Sequence, residues 1–315
     1  MKIVEQSHTW IKEPDPIKLI ELCGRTCYKS EDKITEDSAN KFVKMLTKSG
    51  HHSVLEHANI CFKLECTDSW LFIVTQPFHY LRWTTERERT LISGNFRAWL
   101  NFIKAIGTKT PPTNIANILA YLHESYPIIF PKPLYKYKQI LPYIASECIM
   151  YPREKLIHAT RTCRFITNRG VTHELVRHRP WAYSQESTRY VKYGGEMEFI
   201  LPVWGSKNML NTWKYCRDIE DSRDAGVILF AEQHLLKSQL HSELTYQALL
   251  QEGWKPEQAR EVLPNSLKTE IVCTAPLSEW KHMLKLRTSK AAHPQMRALM
   301  KPVLSNLKEE LPDLF

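Results

Sequence analysis

Between about Leu156 and Thr167 the chain reads as a strand, which turns through Asn168, Arg169 and Gly170 into a short helical segment bearing Val171, Leu175 and Val176. That step constrains the fold more than any other feature. A strand must find partners for its backbone, and a helix that follows it at once must lie against the resulting sheet. Two further strands are readable. In Asn59 to Cys66, Ile60, Phe62 and Leu64 alternate with Cys61, Lys63 and Glu65, which predicts one buried face; Thr269 to Ala275 reads as the other.

Helices lie between them. Ala39, Phe42, Val43 and Leu46 recur at helical spacing from Thr35 to Ser49, with Thr35 as the expected cap and Gly50 as the stop. A long helix is expected from about Ser222 to Gln251, closing at Gly253, with Pro256 opening the next. Pro276 suits a helix start ahead of Leu277, Trp280 and Leu284. Pro294 suits another ahead of Met296, Leu299, Met300 and Val303. Seven prolines from Pro111 to Pro152 break the periodicity of Lys104 to Arg153, which reads as an irregular insertion with short helices between turns. The class is α/β, a central sheet flanked by helices.

A chain of 315 residues with 43% apolar content buries a sizeable core without staples, so its eight cysteines, scattered in unrelated contexts, read as reduced thiols. The first residues lack the apolar stretch of a signal peptide, and the longest charge-free runs, such as Ser69 to Leu81, are interrupted by polar residues, there Thr75, Gln76 and His79. The expectation is a cytoplasmic protein with no membrane span. A net charge of +9 suits phosphorylated partners, whether small molecules or polyanions.

The chemistry concentrates in Arg177-His178-Arg179-Pro-Trp-Ala-Tyr-Ser-Gln185-Glu186-Ser187-Thr188-Arg189-Tyr190, where three arginines, a histidine and several hydroxyls share fourteen residues. Guanidinium groups bind phosphate through paired, charge-assisted hydrogen bonds, and hydroxyls fix its orientation. A nucleotide phosphate is the natural ligand, against the plainer reading of a solvated basic face. No Gly-x-Ser-x-Gly elbow frames Ser187, so binding is the expected role for that residue rather than nucleophilic attack. His51, His52, His57 and Cys61 lack metal-site spacing, and no metal is expected. The aromatics Trp181, Tyr183, Tyr190 and Tyr193 beside arginines are also compatible with single-stranded nucleic acid, but no binding motif accompanies them.

Arg-His-Arg followed by seven residues and Ser187 resembles the signature of the flavin-dependent thymidylate synthases, and Gln185 to Tyr190 looks like one branch of that family. The segment Gly50-His51-His52-Ser53-Val54-Leu55-Glu56-His57 is similar to the family's N-terminal motif. Ala259-Arg260 through Glu270 and Lys285-Leu286-Arg287 look like its late nucleotide-binding segments, leaving Lys104 to Arg153 unmatched. The resemblance implies one domain with a mostly antiparallel sheet, assembled as a homotetramer with shared active sites. It implies reductive methylation of dUMP to dTMP, with FAD as cofactor and with NADPH and methylenetetrahydrofolate as co-substrates. No Pro-Cys-His setting supports the other thymidylate synthase, which attacks uracil with a thiolate. An inactive homologue is the alternative within the family.

By the same resemblance, Arg287 is the catalytic group, a fixed positive charge against the uracil ring. Glu174, Arg177, Gln185, Glu186, Ser187, Thr188, Arg189 and Arg260 join it in holding dUMP. His51, Ser53, Arg177, His178, Arg179, Gln185 and His282 contact FAD. Two departures from the family pattern stand out. Glu174 occupies a place where many members carry Gln, and Pro276 and Ser278 replace an Asn and an Arg that grip FAD elsewhere.

Overall fold

The computed structural model describes residues 1–64, 80–86, 89–106, 111–132, 143–144, 151–212 and 230–315. In chain order the elements are β1 (Lys2–Val4), β2 (Ser7–Ile11), α1 (Pro16–Tyr28), α2 (Ser38–Lys48), a 3-10 helix (His52–His57), β3 (Asn59–Leu64), β4 (Leu81–Glu86), β5 (Arg89–Asn95), α3 (Phe96–Ile106), α4 (Thr113–Ser125) and β6 (Tyr143–Ile144). There follow α5 (Pro152–His158), β7 (Thr160–Asn168), α6 (Arg169–Leu175), β8 (Ala182–Gln185), β9 (Glu198–Ile200), α7 (Met209–Thr212), α8 (Phe230–Gln251), α9 (Pro256–Ala259), β10 (Lys268–Pro276), α10 (Leu277–Arg287) and α11 (Pro294–Glu310).

The expected mix of helices and antiparallel strands is present, and the sheet is divided. One four-stranded antiparallel sheet has the order β2-β7-β10-β8, a second has the order β4-β5-β3-β6, and β1 pairs with β9 in parallel. In the first sheet β7 and β10 pair over their whole length, Lys268 opposite Asn168 and Pro276 opposite Thr160. Both are flanked on either edge; β10 is buried along almost its whole length, whereas β7 alternates buried and half-buried positions over much of its length. Among the described residues no helix is long and apolar enough to cross a membrane.

Several boundaries differ from expectation for identifiable reasons. Pro152 opens α5, which takes up Leu156 to His158, so β7 starts only at Thr160. Asp37, not Thr35, is the cap of α2, because the Ser38 hydroxyl turns back onto the Thr35 carbonyl. Cys61 is buried with Ile60 and Phe62, since β3 is an inner strand covered on both sides. Pro276 ends β10 and caps α10 instead of entering it. Residues 222–229, expected in the long helix, lie outside the described residues, as do Cys66, Cys148 and Cys216. The other five cysteines are free thiols.

The α1–α2 contact is close because Gly24 has no side chain. A Cβ there would stand 2.6 Å from the Phe42 ring. Gly50 follows α2 at φ +75°, the left-handed conformation that ends a helix. These helices pack with the 3-10 helix, β3, β5, α3 and α4 around one apolar cluster; β7, β10, α10 and α11 enclose another. The second is centred on Trp280, fully buried, edge-on to Trp10 at 5.1 Å and to Trp181 at 4.5 Å. Truncating a tryptophan in such a place costs on the order of 3–5 kcal/mol.

Two buried histidines lie at the seams between these layers. His57 of the 3-10 helix meets Thr274 Oγ1 of β10 at 2.8 Å and Ser184 Oγ of β8 at 3.0 Å. His158 of α5 meets Ser93 Oγ of β5 at 2.7 Å and Thr84 Oγ1 of β4 at 2.9 Å. Burial pushes His57 down to about 3, and burial with the nearby Arg82 charge pushes His158 down to about 4. Each is therefore neutral in the fold while the unfolded chain protonates it below about pH 6.5. Stability contributed by these groups is present above that pH and lost as pH falls toward 4. The melting temperature is expected to fall between pH 7 and pH 5, by the equivalent of roughly 1–2 kcal/mol per imidazole. His158→Gln should shrink the difference; an equal melting temperature at both pH values contradicts this account.

Candidate active site

The Arg177–Tyr190 segment is delivered by β7 and anchored at both ends. Asn168 caps α6, its Oδ1 accepting from Val171 N at 2.8 Å, and Val171, Thr172 and Leu175 face inward. Only seven residues long, α6 gives way at once to the turn that bears Arg177, His178 and Arg179. Tyr183 ties that turn down, its hydroxyl donating to the Leu175 carbonyl at 2.7 Å and lying 3.2 Å from the His178 carbonyl. β8 then pairs with β10, Gln185 opposite Ile271.

Arg287, at the last position of α10, reaches this turn. Its Nε donates to His178 Nε2 at 2.8 Å, Nη1 to the Glu174 carboxylate at 2.7 Å and Nη2 to the Glu174 carbonyl at 3.1 Å. Because Arg287 donates, His178 Nε2 carries the lone pair and the neutral ring holds its proton on Nδ1. Burial pushes His178 down to about 4, and the charges of Arg287 and His282 push the same way. Three of the five guanidinium N–H donors are thus engaged, which fixes the plane of the group.

A second group gathers around the other end of the segment. Ser187 N bonds the Cys27 carbonyl at 3.1 Å. Arg189 lies over the Tyr190 ring, 5.0 Å from its centroid, and Tyr190 meets Tyr28 at 5.4 Å. Tyr28 in turn bonds His51 Nδ1 at 3.2 Å. Burial lowers the His51 pKa. Gln185 sits between the groups, its amide donating to Thr172 at 2.9 Å and Thr269 at 3.3 Å. No direct hydrogen bond or ion pair among the described residues joins the Arg287 group to the Ser187–Arg189 turn.

Other expected ligands fall as follows. Arg177, Arg179, Arg189, His282 and Ser53 are exposed, Ser187 and Arg260 are half-buried, and Thr188 is buried. Glu186 points inward. It is 2% exposed, its carboxyl oxygens accept no hydrogen bond, and Lys29 Nζ stands 3.6 Å away. Its negative charge favours the charged form of Arg169.

Arg169 itself was not singled out as a ligand from the sequence. Its pKa is lowered mainly by burial, against which the negative ends of Tyr193 and Glu186 act, and the Arg260 charge adds a smaller push downward. A signal was available, since a cation at the first position of a helix opposes the helix dipole. His57 and Tyr28 were likewise missed as supports, because their partners lie far away in sequence.

Comparison with known proteins bears on this arrangement. The family model described as thymidylate synthase complementing protein matches residues 7–72 and 151–313. The unmatched stretch therefore begins at 73, well before Lys104. The flavin-dependent thymidylate synthase of Corynebacterium efficiens is 35% identical over 148 residues, 47% of this chain and 57% of that protein. The enzyme of the same name from Corynebacterium aurimucosum is 34% identical over 163 residues, 51% of this chain and 62% of that protein. The aligned parts thus span under two thirds of each relative's length. A solved UMP/dUMP methylase PolB from Streptomyces cacaoi superposes over 99% of this chain and 94% of its own, at 14% identity and a TM-score of 0.40. Since the matched residues take in the His51–His57 motif, the Arg177–Tyr190 segment, Arg260 and Arg287, the chain belongs to the thymidylate synthase complementing protein family.

Proposed function

We propose that the protein is a flavin-dependent thymidylate synthase, converting dUMP to dTMP with methylenetetrahydrofolate as carbon donor and FAD reduced by NADPH. The observation that carries this reading is the convergence of Arg287, Glu174 and His178, which fixes a guanidinium with its face uncommitted. A planar pyrimidine against that face would feel a positive charge that cannot rotate away. Negative charge developing on the ring is stabilised there without reorganisation. Glu174 and His178 hold Arg287 in place, and a neutral His178 adds no second cation to compete with it.

The nucleotide phosphate is assigned to Arg169 and Arg260, with Ser187, Thr188 and Arg189 beside them. Each guanidinium offers a phosphate paired, charge-assisted hydrogen bonds. Arg177 serves both nucleotide and cofactor, and Gln185 orients from below. The donor set also fits a flavin. Exposed Arg177, Arg179 and Ser53 suit its phosphates and ribityl chain, His178 offers Nδ1–H, and His51 and His282 complete the set. When bound, the flavin supplies the hydride that completes the methyl group. The two ligand groups, not joined within one chain, suit a site completed by another copy in a homotetramer.

The test is a visible spectrum of the protein with FAD, followed anaerobically through NADPH, dUMP and then methylenetetrahydrofolate. Bleaching and dTMP formation are expected; absence of flavin binding refutes the reading. Arg287→Ala should lower dTMP formation by about 100- to 1,000-fold, while FAD binding is retained, because Arg287 meets the flavin set only through His178. Wild-type turnover in that variant removes Arg287 from the chemistry. For Arg169→Ala and Arg260→Ala, calorimetric titration should show dUMP binding weakened about 10- to 100-fold in each. Unchanged affinity in both variants places the phosphate elsewhere.

A further inference from the structure

Next to the Ser187–Arg189 turn lies a carboxylate that no hydrogen bond satisfies. Glu186 extends the β8 ladder, its backbone N donating to the Glu270 carbonyl at 2.9 Å, and its side chain is turned inward with neither oxygen bonded or in contact with solvent. Cations reach it from three elements. Lys29, the cap of α1, stands 3.6 Å from Oε1 and lies over the Tyr193 ring, 5.5 Å from its centroid. Arg169, at the first position of α6, donates from Nη1 to the Glu186 carbonyl at 3.5 Å, and the carboxylate favours its charged form. Lys268 of β10 feels the same charge but is already held by Glu270 at 2.8 Å and Glu198 at 3.2 Å. The Tyr193 hydroxyl, sealed beside Glu186, stays protonated, because burial and the carboxylate both raise its pKa.

A buried carboxylate without hydrogen bonds is costly, and it persists where nearby positive charge offsets the cost. The offset works in both directions here. Glu186 neutralises part of the charge of half-buried Arg169 and exposed Lys29 while the site is empty. A phosphate bound to Arg169 meets the same carboxylate as a like charge. The effect of Glu186 on a nucleotide therefore has a definite sign: it opposes binding, and more so the more negative the ligand. We infer that Glu186 is the internal counter-charge of the nucleotide site, setting how tightly the phosphate is held without touching the nucleotide. It acts through Arg169 and Lys29 and is a positioning residue in that sense. This rests on the assignment of the nucleotide phosphate to Arg169 and Arg260 above. Substrate and product carry the same phosphate, so a limited grip also favours product release.

The test is calorimetric titration of the full-length protein, with FAD present, using dUMP, dTMP and deoxyuridine, the last lacking the phosphate. Glu186→Gln keeps the shape and removes the charge. It should bind dUMP and dTMP about three- to tenfold more tightly, with affinity for deoxyuridine unchanged. Glu186→Asp, which keeps the charge, should bind all three as wild type does. Lys29→Met leaves the carboxylate unopposed on that side and should weaken dUMP by about the same factor, again with no effect on deoxyuridine. Equal or weaker dUMP binding in Glu186→Gln overturns the inference and leaves the nucleotide reading intact. Losses of equal size for dUMP and deoxyuridine, with a lower melting temperature, mark Glu186 as a packing residue and also overturn it. Should Glu186→Gln not fold, Lys29→Met decides, and unchanged dUMP affinity there overturns the inference. Wild type that binds dUMP no better than deoxyuridine defeats the phosphate assignment itself.

Discussion

The site depends on the clasp between α10 and the turn after α6. Trp280 and Arg287 are seven residues apart on α10, two helical turns, and so project from the same side. Trp280 packs edge-on to Trp181 in the apolar cluster, while Arg287 bonds Glu174 and His178 near the surface. The apolar contact supplies most of the energy and the polar contacts supply direction. An arginine held only by a surface carboxylate contributes little to stability and is poorly fixed. Here the helix that bears it is already immobilised by a buried tryptophan, so its three hydrogen bonds select one orientation at a small entropic cost.

The stretch from 73 to 150 is joined to this framework rather than hung from it. Its strands β4 and β5 extend the sheet begun by β3, which directly follows the N-terminal motif. Ser93 and Thr84 hold His158 just ahead of β7, and Arg97 holds Glu56. A neutral, doubly bonded imidazole at each seam satisfies polar groups that the junction of two layers would otherwise strand. Both seams rely on hydroxyl partners that adapt to either tautomer, and both meet segments that carry expected ligands.

What was legible in the sequence followed short-range physics. The period of Ala39, Phe42, Val43 and Leu46 announced α2, and the density of Arg177 to Tyr190 announced the site. What was not legible depended on distant partners. The split into separate sheets follows from strand pairing across more than a hundred residues, as between β2 and β7, which no local pattern encodes. Glu186 sits in a basic motif and reads as a ligand, but the alternation along the chain turns it inward between Gln185 and Ser187.

The net positive charge is accordingly not a uniform coat. Arg161, Arg97 and Lys268 are each matched by carboxylates, whereas Arg177, Arg179 and Arg189 point outward beside the motif. Arg169 is half-buried, and burial is the main cause lowering its pKa. The arginines divide by setting: Arg161 and Arg97, with carboxylate partners, tie the fold together, while Arg177, Arg179 and Arg189 stand exposed beside the motif. Arg287 differs from both. Three of its five N–H donors are engaged by Glu174 and His178, which fixes the plane of the guanidinium, and the charge on its face suits a reaction on a ring more than the grip of a phosphate.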